Sequence, residues 1–89
     1  RKKEIIFRGG ANVYPREVEI VLEMHPDVQK ARVEGKADLL RGEIVKAFVV
    51  RKAGATVEDR ELSRYCRTYL SSYKVPREIE FVDHIKESA

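Results

Sequence analysis

Long apolar runs, paired cysteines and clustered histidines are all missing from this chain. Its longest purely apolar runs are of the size of Ala47-Phe48-Val49-Val50, far short of the ~20 residues that a membrane-spanning helix needs. Arg1-Lys2-Lys3 is followed by Glu4 and then only by Ile5-Ile6-Phe7, which does not supply the apolar stretch of about 7–15 residues found in a secretory signal. The lone Cys66 excludes an internal disulfide and fits a reducing cytoplasm. His25 and His84 are not spaced as metal ligands, and Cys66 falls within an apolar stripe, so a zinc site is not expected. A large excess of one sign of charge is missing as well. The 18 Lys and Arg stand against 15 Asp and Glu, interleaved along the chain, and the net charge of +3 is too weak a field to imply nucleic acid by itself. There is no internal repeat and no low-complexity segment.

Hydrophobic residues at 43% and charged residues at 37% describe a globular chain with a densely ionised surface. Its 89 residues allow one domain, spanning 1–89. Surface scaling has a chain of this mass bury about 64% of its unfolded surface, enough for one modest core. A cleft of about 300–1,000 Å³ would have to take its walls from that core. Any chemistry is therefore expected to be shared with something outside the chain, and the absence of a starting Met suggests a piece of a longer protein.

Lys3 to Phe7 reads as a short strand ending at Gly9-Gly10, a turn signal because glycine enters positive φ without a Cβ penalty. Pro15 opens a helix where its missing N–H costs nothing, with Glu17 and Glu19 near the positive end of the helix dipole. Val18, Val21, Leu22 and His25 mark its buried face, and Pro26 ends it. Val28 to Glu34 alternates as a half-exposed strand. Gly35 to Gly42 reads as a polar loop, and Glu43 to Arg51 as a central strand buried on both sides. Thr56 followed by Asp59 resembles a capping box. It precedes a second helix with Leu62, Tyr65, Cys66, Tyr69 and Leu70 along one stripe. Ser71 to Pro76 breaks that helix, and Ile79 to Val82 forms a last strand. The order β-α-β-β-α-β predicts an α+β domain, a small sheet with two main helices on one face.

The residue chemistry offers no catalytic set. Cys66 on a core stripe is an inert thiol. Ser63, Ser71 and Ser72 have no neighbouring base, and Glu17 and Glu19 stand where helix starts ordinarily carry carboxylates. Arg8-Gly9-Gly10-Ala11-Asn12 rises above this background and admits two readings. It is either a tight turn that carries an arginine, or a place where a slender ligand passes close to the backbone while Arg8 meets a phosphate. A P-loop is excluded because no Gly-Lys-Ser/Thr follows, and the G-x-G-x-x-G spacing of dinucleotide binding is missing. A small RNA-binding module is the rival class, but the Gly-x-x-Gly of a KH loop is absent and Phe48 is the middle strand's only aromatic.

The motifs taken together resemble the C-terminal subdomain of the adenylate-forming (ANL) superfamily, particularly the acyl-CoA synthetases. Arg1-Lys2-Lys3-Glu4-Ile5-Ile6 is similar to the end of that family's hinge motif, Asp-Gly-Arg-x-Lys-Glu-x-Ile. Gly9-Gly10-Ala11-Asn12-Val13-Tyr14-Pro15-Arg16-Glu17-Val18-Glu19 resembles its Gly-Gly-x-Asn-Ile/Val-Tyr-Pro-x-Glu-Val-Glu signature. His25-Pro26-Asp27-Val28, Gly42-Glu43, Ala47-Phe48-Val49-Val50, Tyr73-Lys74-Val75-Pro76 and Phe81-Val82-Asp83 follow in the family's order.

The resemblance implies a lid that swings against an N-terminal adenylate-forming domain of the same parent chain. The parent would be a cytoplasmic AMP-forming acid–CoA ligase, and the isolated piece inactive. Its substrates would be ATP, coenzyme A and a fatty or related carboxylic acid, its products acyl-CoA, AMP and pyrophosphate. Mg²⁺ is expected with ATP and not on this piece, and neither nucleic acid nor a transmembrane segment is implied. Gly9 and Gly10 would line the pantetheine tunnel, where their missing Cβ atoms leave passage, with Ala11 in the same binding segment; our own reading places Arg8 at the mouth, near the coenzyme A phosphates. Arg1, Lys3 and Glu17 would serve the hinge and the interdomain contact, Glu17 by anchoring its loop. A related adenylation domain that loads a carrier protein is the alternative within the superfamily.

Some positions depart from the pattern. The hinge residue and its glycine would precede Arg1. The family's catalytic lysine is expected beyond Ala89, since Ile85-Lys86-Glu87-Ser88-Ala89 stands where Leu-Pro-Lys usually begins and Lys86 falls at the Pro position. Ala37 replaces a common Pro, which alters loop stiffness.

Overall fold

The computed structural model describes residues 5–40 and 42–85. In chain order they form β1 (Ile6–Arg8), β2 (Ala11–Val13), α1 (Pro15–Met24), β3 (Val28–Asp38), β4 (Gly42–Arg51), α2 (Asp59–Tyr69), a 3-10 turn (Ser72–Lys74) and β5 (Glu78–Phe81). This is the expected α+β class. The hinge candidates Arg1 and Lys3, and Lys86, lie outside the described residues.

Strand β4 organises the sheet. It pairs antiparallel with β3 from Asp38 opposite Gly42 to Val28 opposite Arg51. Its other side meets β1 through Arg8 opposite Gly42, and further along meets β5 in parallel, from Lys46–Glu78 to Val49–Phe81. A parallel neighbour needs a crossover, which α2 supplies. Val45, Ala47 and Val49 alternate onto one face of β4 and are wholly buried. Val18 and Leu22 of α1 and Leu62 and Cys66 of α2 close over that face, forming one core with Ile6 and Val13 of the first hairpin. The helix stripes predicted from spacing are therefore the buried ones, except that Tyr69 is turned outward, 53% exposed.

Four expectations are corrected. Gly9-Gly10 does not lead from strand to helix: it turns β1 back onto β2, with Arg8 opposite Ala11 and Ile6 opposite Val13. Gly35 to Asp38 is no loop, because β3 runs on beside the start of β4 and only the tip is a turn, with Leu39 and Leu40 exposed. Thr56 does not cap α2, whose N-cap is Glu58 without a side-chain cap bond. Finally, the second face of β4 is buried only in part, at Ile44 and Val50. On that face Lys46 and Phe48 are half-buried, and Lys46 pairs with Glu80 at 3.1 Å.

The outer edge of β3 is closed by two carboxylates of α1. Glu19 accepts the Val33 N–H at 2.9 Å, and Glu23 accepts the Ala31 N–H at 3.1 Å. Only alternate residues of an antiparallel strand turn their N–H outward, so one helix face with carboxylates four residues apart can meet positions 31 and 33 in succession. An edge covered in this way does not recruit a further strand. Glu19 is thus buried as a sheet-edge acceptor, a different task from the helix-dipole role its place near the helix start predicts.

At the far end, Arg51 donates through Nε to the Val57 carbonyl at 2.7 Å and stacks on the Phe81 ring at 3.7 Å from its centroid. The start of the crossover and the end of β5 are thereby tied to β4.

Candidate functional site

The segment singled out in the sequence, Arg8 to Ala11, is the neck and tip of the β1–β2 hairpin. Gly9 has φ +55° and Gly10 φ +84°. A two-residue hairpin loop with both central φ angles positive is a type I′ turn, whose twist matches that of its strands and which L-residues other than Asn and Asp resist. A Cβ built at either glycine would meet nothing within 4 Å. On the domain itself the glycines are therefore demanded by conformation, and crowding plays no part.

Arg8 is half-buried at the neck of the tip, and no carboxylate among the described residues pairs with its guanidinium. Phe7 and Tyr14 are exposed along the same hairpin and its exit. The arrangement is an open, backbone-lined tip with an available cation and aromatic surface beside it. Such a tip can pass close to a thin chain and meet an anion.

Glu17 lies one turn into α1. Its carboxylate accepts a hydrogen bond from Lys74 Nζ at 3.0 Å. That bond holds the Lys74 ammonium above the ordinary lysine value, so Lys74 stays cationic. The contact joins the helix start to the Tyr73-Lys74-Val75-Pro76 segment, 57 residues away in sequence. Lys74 was not a candidate in the sequence, since nothing local marks a lysine that pairs across such a distance.

Glu43 is the other unpredicted residue. One of its oxygens accepts the Phe7 N–H at 2.8 Å, linking the start of β4 to β1. The available signal was an acid continuing the apolar face of Val45, Ala47 and Val49.

The remaining titratable groups do not make a reaction centre. Burial pushes the Cys66 thiol up to about 11, so at neutral pH it is protonated and a poor nucleophile. His25 accepts the Asp27 N–H at Nδ1, which leaves Nε2 to donate to Glu61 at 3.1 Å. This pairing binds the end of α1 to the first turn of α2. Among the described residues no three His, Cys, Asp or Glu side chains gather to hold a metal ion.

With this geometry in view, the family is clear. The model of the AMP-binding enzyme C-terminal domain matches residues 17–89, and the chain belongs to that family. The long-chain-fatty-acid–CoA ligase of Bacillus subtilis is 48% identical over 89 residues, which is 100% of this chain and 16% of that protein. The 2-succinylbenzoate–CoA ligase of Geobacillus kaustophilus is 45% identical over 89 residues, again 100% of this chain and 18% of that one. The amide bond synthetase McbA from Marinactinospora thermotolerans superposes with a TM-score of 0.93 at 42% identity, over 99% of this chain and 18% of that structure. The chain therefore spans less than a fifth of the relatives it matches. Membership of this family replaces the reading as a small RNA-binding module.

Proposed function

We propose that the chain is the lid of an AMP-forming acid–CoA ligase. The observation that carries this reading is the unbroken likeness across all 89 residues to proteins named as CoA ligases. Those names favour coenzyme A over a carrier protein as the acceptor.

In the reaction so assigned, a carboxylate oxygen attacks the α-phosphorus of ATP and pyrophosphate leaves. The coenzyme A thiol then loses its proton and attacks the acyl carbon, and AMP leaves as the C–S bond forms. The lid's share is positioning and electrostatics. In the thioester-forming pose the Gly9–Gly10 tip borders the pantetheine arm. Arg8 stands at the mouth for a phosphate, where a guanidinium makes paired charge-assisted hydrogen bonds. Glu17 anchors the start of α1 to the Tyr73–Pro76 segment through Lys74, while Arg1 and Lys3 belong to the hinge side of the interdomain contact. Mg²⁺ enters with ATP on the other domain, and the lone buried thiol is at home in a reducing cytoplasm.

The test is made on the full-length protein that carries this lid. Pyrophosphate exchange into ATP that depends on a fatty or related acid, followed by coenzyme A-dependent release of AMP, is the expected result. Absence of acid-dependent exchange with any carboxylic acid overturns the assignment.

A further inference from the structure

The β1–β2 hairpin joins the rest of the sheet through β4. Among the described residues strand β1 meets β4 at the register pair Arg8–Gly42. Phe7 stands opposite Asn12 between two other pairs of the hairpin ladder. In a two-residue hairpin that position turns its N–H and C=O away from the partner strand, here toward β4. Two residues of β4 lie against them. The Phe7 carbonyl lies 3.4 Å from where a Cβ on Gly42 would stand, and the Phe7 N–H reaches Glu43 Oε1 at 2.8 Å.

Gly35 explains how the carboxylate comes to be there. A Cβ at Gly35 would lie 2.9 Å from Glu43 Oε2 and 3.0 Å from Cδ, closer than real side chains pack. Gly35 has no positive φ that would itself call for glycine. Its missing side chain opens the space that the Glu43 carboxylate fills.

We propose that Glu43 is a positioning residue for the thioester-forming step, a deepening that rests on the function proposed above. Its carboxylate, seated over Gly35, clamps the Phe7 amide and fixes the angle at which the Gly9–Gly10 tip leaves the sheet. Ile6 and Val13 are wholly buried, so losing the clamp leaves the hairpin attached to the core. What changes is the aim of the tip, and adenylation does not use the tip. A hydrogen bond from a backbone amide to a carboxylate at an exposed site corresponds to about a five- to tenfold effect.

The experiment uses the full-length enzyme with Glu43→Ala, Glu43→Gln and Gly35→Ala. It measures acid-dependent ATP–pyrophosphate exchange, thioester formation against coenzyme A concentration, and amide hydrogen exchange over residues 7–11. Glu43→Ala and Gly35→Ala are expected to lower kcat/KM for coenzyme A about five- to tenfold and to speed amide exchange at the tip. Pyrophosphate exchange stays within about twofold of the wild type. Glu43→Gln keeps an acceptor oxygen and restores thioester formation to within about twofold.

Unchanged thioester formation in Glu43→Ala overturns the proposal, as does an equal fall in both half-reactions. A Gln variant as impaired as the Ala variant also overturns it. If the wild-type enzyme shows no acid-dependent exchange, the function reading fails and the catalytic role falls with it. The clamp itself is then decided by amide exchange alone: a faster tip in Glu43→Ala than in Glu43→Gln supports it, and equal rates refute it.

Discussion

A substitution series at the Gly9–Gly10 turn separates backbone conformation from space. At φ +55° Gly9 sits almost at the centre of the left-handed well, and Gly10 at φ +84° lies on its flank. Placing an L-residue there costs roughly 1–2 kcal/mol. About 0.4–1 kcal/mol of that is returned because the replacement stiffens the unfolded chain. Gly9→Ala is therefore expected to destabilise the domain by about 0.5–1.5 kcal/mol, and Gly10→Ala by somewhat more. At roughly 4–8 °C per kcal/mol for a domain of this size, the Gly9 change lowers Tm by about 2–12 °C. The Cβ meets nothing within 4 Å at either position, so the size of the new side chain should not matter. Gly9→Leu should fall within about 0.5 kcal/mol of Gly9→Ala. Gly9→Asn, which tolerates this backbone, should recover most of the loss. Urea unfolding of the chain followed by circular dichroism reads all of these. A Leu variant clearly worse than Ala would show that space is limiting after all. An Asn variant as unstable as Ala would refute the conformational argument.

Alkaline pH should weaken the fold. Cys66, raised to about 11 by burial, and Tyr65 and Lys74, raised by burial and by the Glu17 hydrogen bond respectively, all hold their protons more tightly folded than unfolded. The stability they lend is complete below the unfolded values, near pH 8.5–10.4, and is lost as pH rises through the folded ones. The urea midpoint should fall between pH 8.5 and 11, less steeply in Glu17→Gln, and a flat profile contradicts the reasoning. Cys66 should resist an aromatic disulfide reagent at pH 8 until the chain is unfolded, and immediate labelling of the native protein would show the thiol is not enclosed. Glu19→Ala should cost about 1–3 kcal/mol by leaving the Val33 N–H without its acceptor, and should promote association through the opened β3 edge. Unchanged stability and a monomer on gel filtration would count against the edge-closing role.

Much of the fold was legible because the core-forming residues carry their periodicity openly. Val18, Val21 and Leu22 follow a helical stripe begun by Pro15, and Val45, Ala47 and Val49 alternate on a strand; all belong to the buried core. What was hidden has a physical reason in each case. Ala11–Val13 is too short to show alternation, so the Gly-Gly pair looked like a strand-to-helix joint where it is a hairpin turn. Gly35 to Asp38 is polar yet extended, because its pairing with β4 and not its composition decides its state. Of the candidate site, the Arg8–Gly9–Gly10 turn stood out through its local turn chemistry. The Glu17–Lys74 and Glu43–Phe7 bonds join residues 57 and 36 positions apart, and only folding brings them together.

The central claim is that the hairpin tip serves the second half-reaction and leaves the first untouched. Gly10→Ala and Gly10→Leu, compared in the full-length enzyme, test it most directly, because the two should carry the same conformational strain and differ in bulk. Acid-dependent ATP–pyrophosphate exchange should survive in both variants, while coenzyme A-dependent thioester formation falls modestly with Ala and severely with Leu. Equal losses in both half-reactions, or no difference between Ala and Leu, would contradict the account.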